Sequence, residues 1–267
     1  MIRVEDAGEV VFIRMTRSFL GRALYWTGCY LVDELLLDCG PPALAADLAR
    51  VLEGRALRGL ALTHHHEDHM GGAALLARRR GLTPMAHAAA LPLLEGGFTV
   101  ERYRRVAWGM PERVRAEPLG SELRGATLRF EVLHTPGHSH DHVCLFEPER
   151  GWLFSGDLFL AERLRYLRAD EDVLELIASL RSVARLPLRR VFCAHRGELR
   201  DGPAALRRKA DHLEALRDRI LQLLRQGLPE AEIARRAVGR EGPMTWLSGG
   251  HFSARNFVGA VARRPRS

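Results

Sequence analysis

Lysine is almost missing from this chain. Of 40 basic residues among 267, one, Lys209, is a lysine and the rest are arginine. Alanine is abundant, so the imbalance points to a GC-rich genome rather than to selection for phosphate binding. No apolar run approaches the roughly 20 residues that cross a bilayer, so no membrane association is expected. The stretch MIRVEDAGEVVFIRM lacks the apolar core and cleavage site of a signal peptide, and a cytoplasmic protein is expected. Cysteine is scarce and scattered. Cys29, Cys39, Cys144 and Cys193 form no C-x-x-C pair. That excludes a zinc ribbon or a disulfide scaffold and predicts buried free thiols in a reducing compartment.

What remains is ordinary globular material. A composition of 46% hydrophobic and 27% charged residues excludes disorder and collagen-like structure. The length suits one large domain, or one domain with a small appendage. The net charge of +7 is unevenly placed: residues 1–200 carry +1 and residues 201–267 carry +6. A solvated basic segment is the first reading of that excess, and an acidic partner the second.

Short apolar runs ending in Gly, Pro or polar clusters predict strands at Val10–Met15, Cys29–Val32, Leu35–Asp38, Gly59–Thr63, Pro84–Ala88, Leu128–Leu133, His142–Glu147, Gly151–Ser155 and Arg190–Ala194. Helical spacing appears over Ala43–Leu52, Gly72–Arg80 and Asp172–Val183. Strands alternating with helices imply an α/β layered fold. After Gly202-Pro203 the chain reads as all-helical, with a long helix to about Gln226 and shorter ones at Pro229–Val238 and Ser253–Ala262. Residues 1–202 are therefore expected to form the main α/β domain and residues 203–267 a C-terminal helical extension.

Histidine placement carries the chemistry. Eight of the twelve histidines fall in two short stretches, 64–69 and 134–142. The first, His64-His65-His66-Glu67-Asp68-His69, follows an apolar strand and precedes Gly71-Gly72 and a helix. This is the C-terminal edge of a sheet, where α/β proteins place ligands. At a strand end, residues two apart project to the same side, so His64 and His66 can share one metal while His65 points away. Asp68 and His69 then come round to a neighbouring position. Imidazole and carboxylate suit Zn²⁺. Three further strand ends supply His138 (His134-Thr135-Pro136-Gly137-His138), Asp157 (Ser155-Gly156-Asp157) and His195 (Cys193-Ala194-His195).

This order of motifs, together with Asp38 of LLLDCG, resembles the metallo-β-lactamase superfamily over about residues 10–200. The resemblance implies a four-layer αββα sandwich with a binuclear site between its sheets, followed by a small, winged-helix-like C-terminal extension. It implies that His64, His66 and His138 hold a first metal and Asp68, His69 and His195 a second, with Asp157 bridging. Asp38 would steady the ligand loop by hydrogen bonds, and His142 would have a supporting role behind the ligands. One departure is Ala194-His195-Arg196-Gly197, where many members have Gly-His-Gly.

The implied cofactors are two divalent ions. Zn²⁺ is expected first, and iron or manganese also suits the ligand set. A bridging hydroxide would attack an electrophilic carbonyl, with Asp68 orienting it and moving its proton. The expected activity is hydrolysis of a small ester, thioester or lactone. The alternative is a metal-dependent endoribonuclease on single-stranded RNA, its phosphates met by the basic C-terminal segment. A non-catalytic binding module is a third reading, weakened by the presence of all seven ligand positions. Glyoxalase II shares the metal motifs, but one Lys and four Tyr offer little to match its glutathione pocket.

Overall fold

Period-two alternation in the strands assigns their side chains to three separate cores. In the computed structural model, which describes residues 1–19 and 21–263, the chain begins with β1 (Ile2–Asp6) and β2 (Val10–Met15). A short hairpin of β3 (Ser18–Phe19) and β4 (Arg22–Ala23) follows. Next come β5 (Thr27–Val32), β6 (Leu35–Leu37), β7 (Gly59–Ala61), β8 (Met85–Ala86) and β9 (Glu117–Pro118). The first sheet has the order β1-β2-β5-β6-β7-β8-β9. It is antiparallel up to β6 and parallel from β6 to β9. The second sheet comprises β10 (Glu122–Arg124), β11 (Arg129–His134), β12 (Val143–Glu147) and β13 (Trp152–Phe154). After the short β14 (Leu167–Arg168) it is completed by β15 (Arg190–Cys193) and β16 (Gly197–Glu198). β14 pairs instead with β17 (Phe252–Ser253), near the C-terminus.

The inner core lies between the sheets. Val10, Phe12, Tyr30, Val32, Leu35 and Leu37 of the first sheet meet Phe130, Leu145, Trp152, Phe154 and Phe192 of the second. The intervening residues face outward. Val11, Ile13, Met15, Cys29, Leu31 and Leu36 pack with α1 (Ala45–Val51) and α3 (Ala73–Arg80), which is preceded by the four-residue α2 (Glu67–Met70). α4 (Leu91–Gly96) closes that layer through Leu94, and α5 (Arg102–Trp108) follows it. On the other side, Cys144, Phe146, Leu153, Val191 and Cys193 pack against α6 (Val173–Val183) and α7 (Gly202–Arg225). The same core takes in Ile233 of α8 (Glu230–Ala237) and Phe257, Val258 and Val261 of α10 (Arg255–Ala262), with α9 (Pro243–Leu247) between them. Helices, sheet, sheet and helices make the four-layer sandwich.

The strands read from sequence lie within about two residues of those observed. β1 was not expected because its residues alternate charges (Arg3, Glu5) and are mostly exposed. It is an edge strand, registered on β2 from Ile2↔Met15 to Asp6↔Val11. α5 was missed because Arg-Tyr-Arg-Arg-Val-Ala-Trp buries only Arg104 and Trp108, leaving no apolar stripe to read. All four cysteines are free and buried. Among the described residues no helix is long and apolar enough to cross a membrane. Residues 264–267 of the expected extension lie outside the described residues.

Topology explains why distant residues converge. β11 and β13 both run antiparallel to β12, and β15 runs parallel to β13, so all three end at the same edge of the second sheet. The turns after them carry His138, Asp157 and His195.

Candidate metal centre

The seven expected residues meet in one buried group. Three sets of donor atoms each lie within 4.8 Å of one another: His64, His66 and His138; His64, His69 and Asp157; and Asp68, His69 and His195. Asp157 stands between the outer two sets. Its Oδ2 is 3.2 Å from His138 Nε2, while its Oδ1 is 3.3 Å from His69 Nε2 and 3.1 Å from His195 Nε2. Asp68 Oδ2 lies 3.6 Å from His195 Nε2 and 3.8 Å from His69 Nε2. His66 Nδ1 is 3.1 Å from His138 Nε2. His65 turns away: its backbone N–H and its ring Nδ1 both meet the Asp141 carboxylate at 2.8 Å.

Hydrogen bonds behind the rings choose which nitrogen faces inward. Asp38 Oδ2 is 2.8 Å from His69 Nδ1, while its Oδ1 accepts the Thr63 backbone N–H at 2.8 Å. The Thr63 hydroxyl donates to the same carboxylate and therefore accepts from His64 Nδ1, 3.0 Å away. The Trp26 carbonyl accepts from His195 Nδ1 at 2.6 Å. Glu171 Oε1 is 2.7 Å from His138 Nδ1. With these Nδ1 atoms protonated, the Nε2 lone pairs of His64, His69, His138 and His195 point into the centre.

His142 supports the centre from beneath. Its Nδ1 lies 2.8 Å from the Thr135 hydroxyl, and its Nε2 accepts the Asp157 backbone N–H at 3.1 Å. Burial first, then His138, lowers its pKa to about 3, so it stays a neutral acceptor. The close approach requires Gly156: a Cβ there would lie 2.7 Å from His142 Nε2, and φ is +46°.

The donor set fits divalent cations. His64 Nε2, His69 Nε2 and Asp157 Oδ1 are buried with no hydrogen-bond partner, a costly state that a cation would relieve. Burial drives the His64 and His66 pKa values well down, keeping these rings neutral as ligands must be. Burial alone would raise that of Asp157, but His195, His69 and His138 outweigh it and hold the carboxyl ionised. For His69 the opposing pull of Asp157, Asp38 and Asp68 outweighs burial and raises the pKa.

Several participants were not read from sequence. Glu171 lies in the acidic run Asp170-Glu171-Asp172 just before α6, and Asp172 is the residue that caps α6. Arg168, almost fully buried, puts Nη1 3.2 Å from His66 Nδ1 and Nη2 2.8 Å from Nε2, and pairs with Asp170. Arg104 of α5 reaches Glu67 at 2.6 Å and places Nη2 3.7 Å from Asp68 Oδ1. Tyr25 lies beside His195, with ring centres 5.1 Å apart. Outside the donor group, His134 stacks on His87 at 4.3 Å and meets the His140 carbonyl. His251 contacts Tyr103 and Asp170.

Comparison with known proteins bears on the family and the fold. A hydroxyacylglutathione hydrolase from Legionella pneumophila (strain Paris) is 34% identical over 176 residues, covering 64% of this chain and 61% of that protein. The chain thus spans about three fifths of the length of that relative. An atrochrysone carboxyl ACP thioesterase from Aspergillus fumigatus is 29% identical over 78% of this chain and 47% of its own length. Among solved structures, a metallo-β-lactamase family protein from Thermus thermophilus superposes with a TM-score of 0.66 at 21% identity, covering 95% of this chain and 91% of that one. The sequence profile of the metallo-β-lactamase superfamily matches residues 28–195, a span that holds all seven converging side chains. The chain belongs to the metallo-β-lactamase superfamily.

Proposed function

We propose that this chain is a metal-dependent hydrolase of a small acyl compound, with thioesters first and esters and lactones next. The carrying observation is that the two oxygens of Asp157 face two separate histidine groups. In this reading His64, His66 and His138 would hold one ion and Asp68, His69 and His195 the other, with Asp157 available to both. Zinc is the first choice. Two divalent ions there would supply Lewis acidity, bringing the pKa of a shared water near neutrality and polarising the carbonyl under attack.

The protein's own groups do the rest. Asp68, fixed between the two imidazoles and Arg104, orients the nucleophile and carries its proton towards the leaving group. Asp38, Glu171, Thr63 and the Trp26 carbonyl hold the imidazole tautomers, and His142 holds the backbone of Asp157. The C-terminal segment walls the cleft: β17 pairs with β14, whose Arg168 reaches His66, and His251 meets Tyr103. The four buried free thiols fit a reducing compartment such as the cytoplasm.

Thioesters come first because two relatives are named as hydrolases of acyl groups carried on thiols. The ribonuclease reading draws less support. Basic groups of the C-terminal segment are partly neutralised within the fold: Arg208 pairs with Glu162 and Asp201, Arg235 and Arg236 pair with Glu232, and Lys209 is buried. A panel of acyl thioesters, esters, lactones and single-stranded RNA, with and without chelator, tests the proposal. Chelator-sensitive acyl turnover that barely responds to salt is expected. Activity confined to RNA, or acyl turnover unchanged after metal removal, would refute it.

A further inference from the structure

The chain's single lysine sits at the junction between the C-terminal helix and the centre. Lys209 lies on α7, is 1% exposed, and donates from Nζ to the Leu158 carbonyl at 2.6 Å. Nζ also lies 5.8 Å from the centre of the Phe159 ring. Among the described residues no carboxylate comes within salt-bridge distance of it. An ammonium buried against a single carbonyl carries a desolvation cost that this one hydrogen bond offsets only in part. Burial lowers its pKa to about 8, against the opposing pull of Glu171, Cys193 and Asp157. Every other basic position in this chain is arginine. Lysine brings a compact, single-point donor to the Leu158 carbonyl, where arginine would bring a broad fork.

Leu158 follows Asp157 directly, and the turn around it is held at successive backbone groups. Ser155 N–H donates to the Phe192 carbonyl at 2.8 Å and Leu158 N–H to the Ser155 carbonyl at 2.9 Å. Asp157 N–H donates to His142 Nε2, and Cys193 Sγ donates to the Phe159 carbonyl at 2.8 Å. Lys209 alone among these partners comes from the C-terminal helix.

We infer that Lys209 is a positioning residue for the shared carboxylate: by anchoring the Leu158 carbonyl it holds the turn that aims Asp157 at both donor groups. The inference rests on reading the centre as a metal site.

A sole lysine makes the test selective, because lysine labelled with ¹⁵N at Nζ and ¹³C at Cε gives one side-chain resonance. Zinc added to chelator-stripped protein is expected to shift that resonance in step with metal uptake; a resonance unmoved at full zinc occupancy would overturn the inference. In parallel, metal-free Lys209→Met is expected to melt at or above the wild-type temperature, since a buried charge is gone. It should also hold zinc at least tenfold more weakly in competition with a chromophoric chelator. A lysine that serves only the fold would give the reverse, a lower melting temperature with unchanged zinc affinity, and that result overturns the inference. Should Lys209→Met fail to fold, the resonance experiment on the native chain decides. If the wild type takes up no zinc, manganese or iron, the metal reading falls and this inference with it. If the wild type and Lys209→Met bind metal equally, only the lysine's role falls.

Discussion

Replacing Asp38 with Asn changes one atom and attacks the centre through tautomer choice. The Asp38 carboxylate accepts on both sides, from His69 Nδ1 at 2.8 Å and from the Thr63 backbone N–H at 2.8 Å. An amide can accept on one side only. If its oxygen stays with Thr63, its NH₂ faces His69 Nδ1 and forces the proton onto Nε2, the atom that lies 3.3 Å from Asp157 Oδ1. That nitrogen can then no longer act as a ligand. If the amide flips, the buried Thr63 N–H loses its acceptor, at about 1–3 kcal/mol. The backbone itself tolerates the change, because Asp38 has a φ of 63° and Asn is at ease in the left-handed region. Losing such a support behind a ligating histidine typically costs about 10–100-fold in metal affinity, or roughly 1.4–2.7 kcal/mol. Competition with a chromophoric chelator should show the larger loss in one of two binding steps, since His66 and His138 do not depend on Asp38 and His64 depends on it only through the Thr63 hydroxyl. Two dissociation constants within twofold of wild type would refute this reasoning.

Three further outcomes follow from the same structure. Glu171→Gln should weaken the other binding step by about 10–100-fold, because Glu171 accepts from both His138 Nδ1 and the Arg168 N–H; chelator competition reads it. Lys209 titrates near 10.5 when unfolded and near 8 when folded, so between those values the unfolded chain holds more protons and stability rises with pH. Urea unfolding of metal-free wild type should therefore gain up to about 3 kcal/mol relative to Lys209→Met between pH 7.5 and 10.5; a flat difference contradicts it. Phe154→Ala, which removes a fully buried ring stacked on Phe192 at 4.7 Å between the sheets, should destabilise by about 3–5 kcal/mol in urea.

The sequence showed most clearly what repeats at short range. Alternation in Val10–Met15 and Cys29–Val32 located strands whose odd and even residues enter different cores. The 64–69 spacing placed ligand-type side chains at a strand end. Glu171 was not legible, because a carboxylate beside a helix cap looks like any acidic run, and its histidine partner is distant in sequence. Nothing local distinguishes Arg168 and Arg104 in a chain with 39 arginines, and only the fold shows them buried. Lys209 stood out by rarity, but its contact with Leu158 spans 51 positions and leaves no local signal. Contacts made across layers depend on packing that no single segment records.

The most direct measurement is anomalous X-ray scattering at the metal absorption edge from crystals of the zinc-loaded protein. The account predicts two peaks in each chain, one beside His64, His66 and His138 and one beside Asp68, His69 and His195, with an oxygen of Asp157 next to each. A single peak, or peaks remote from Asp157, would contradict it.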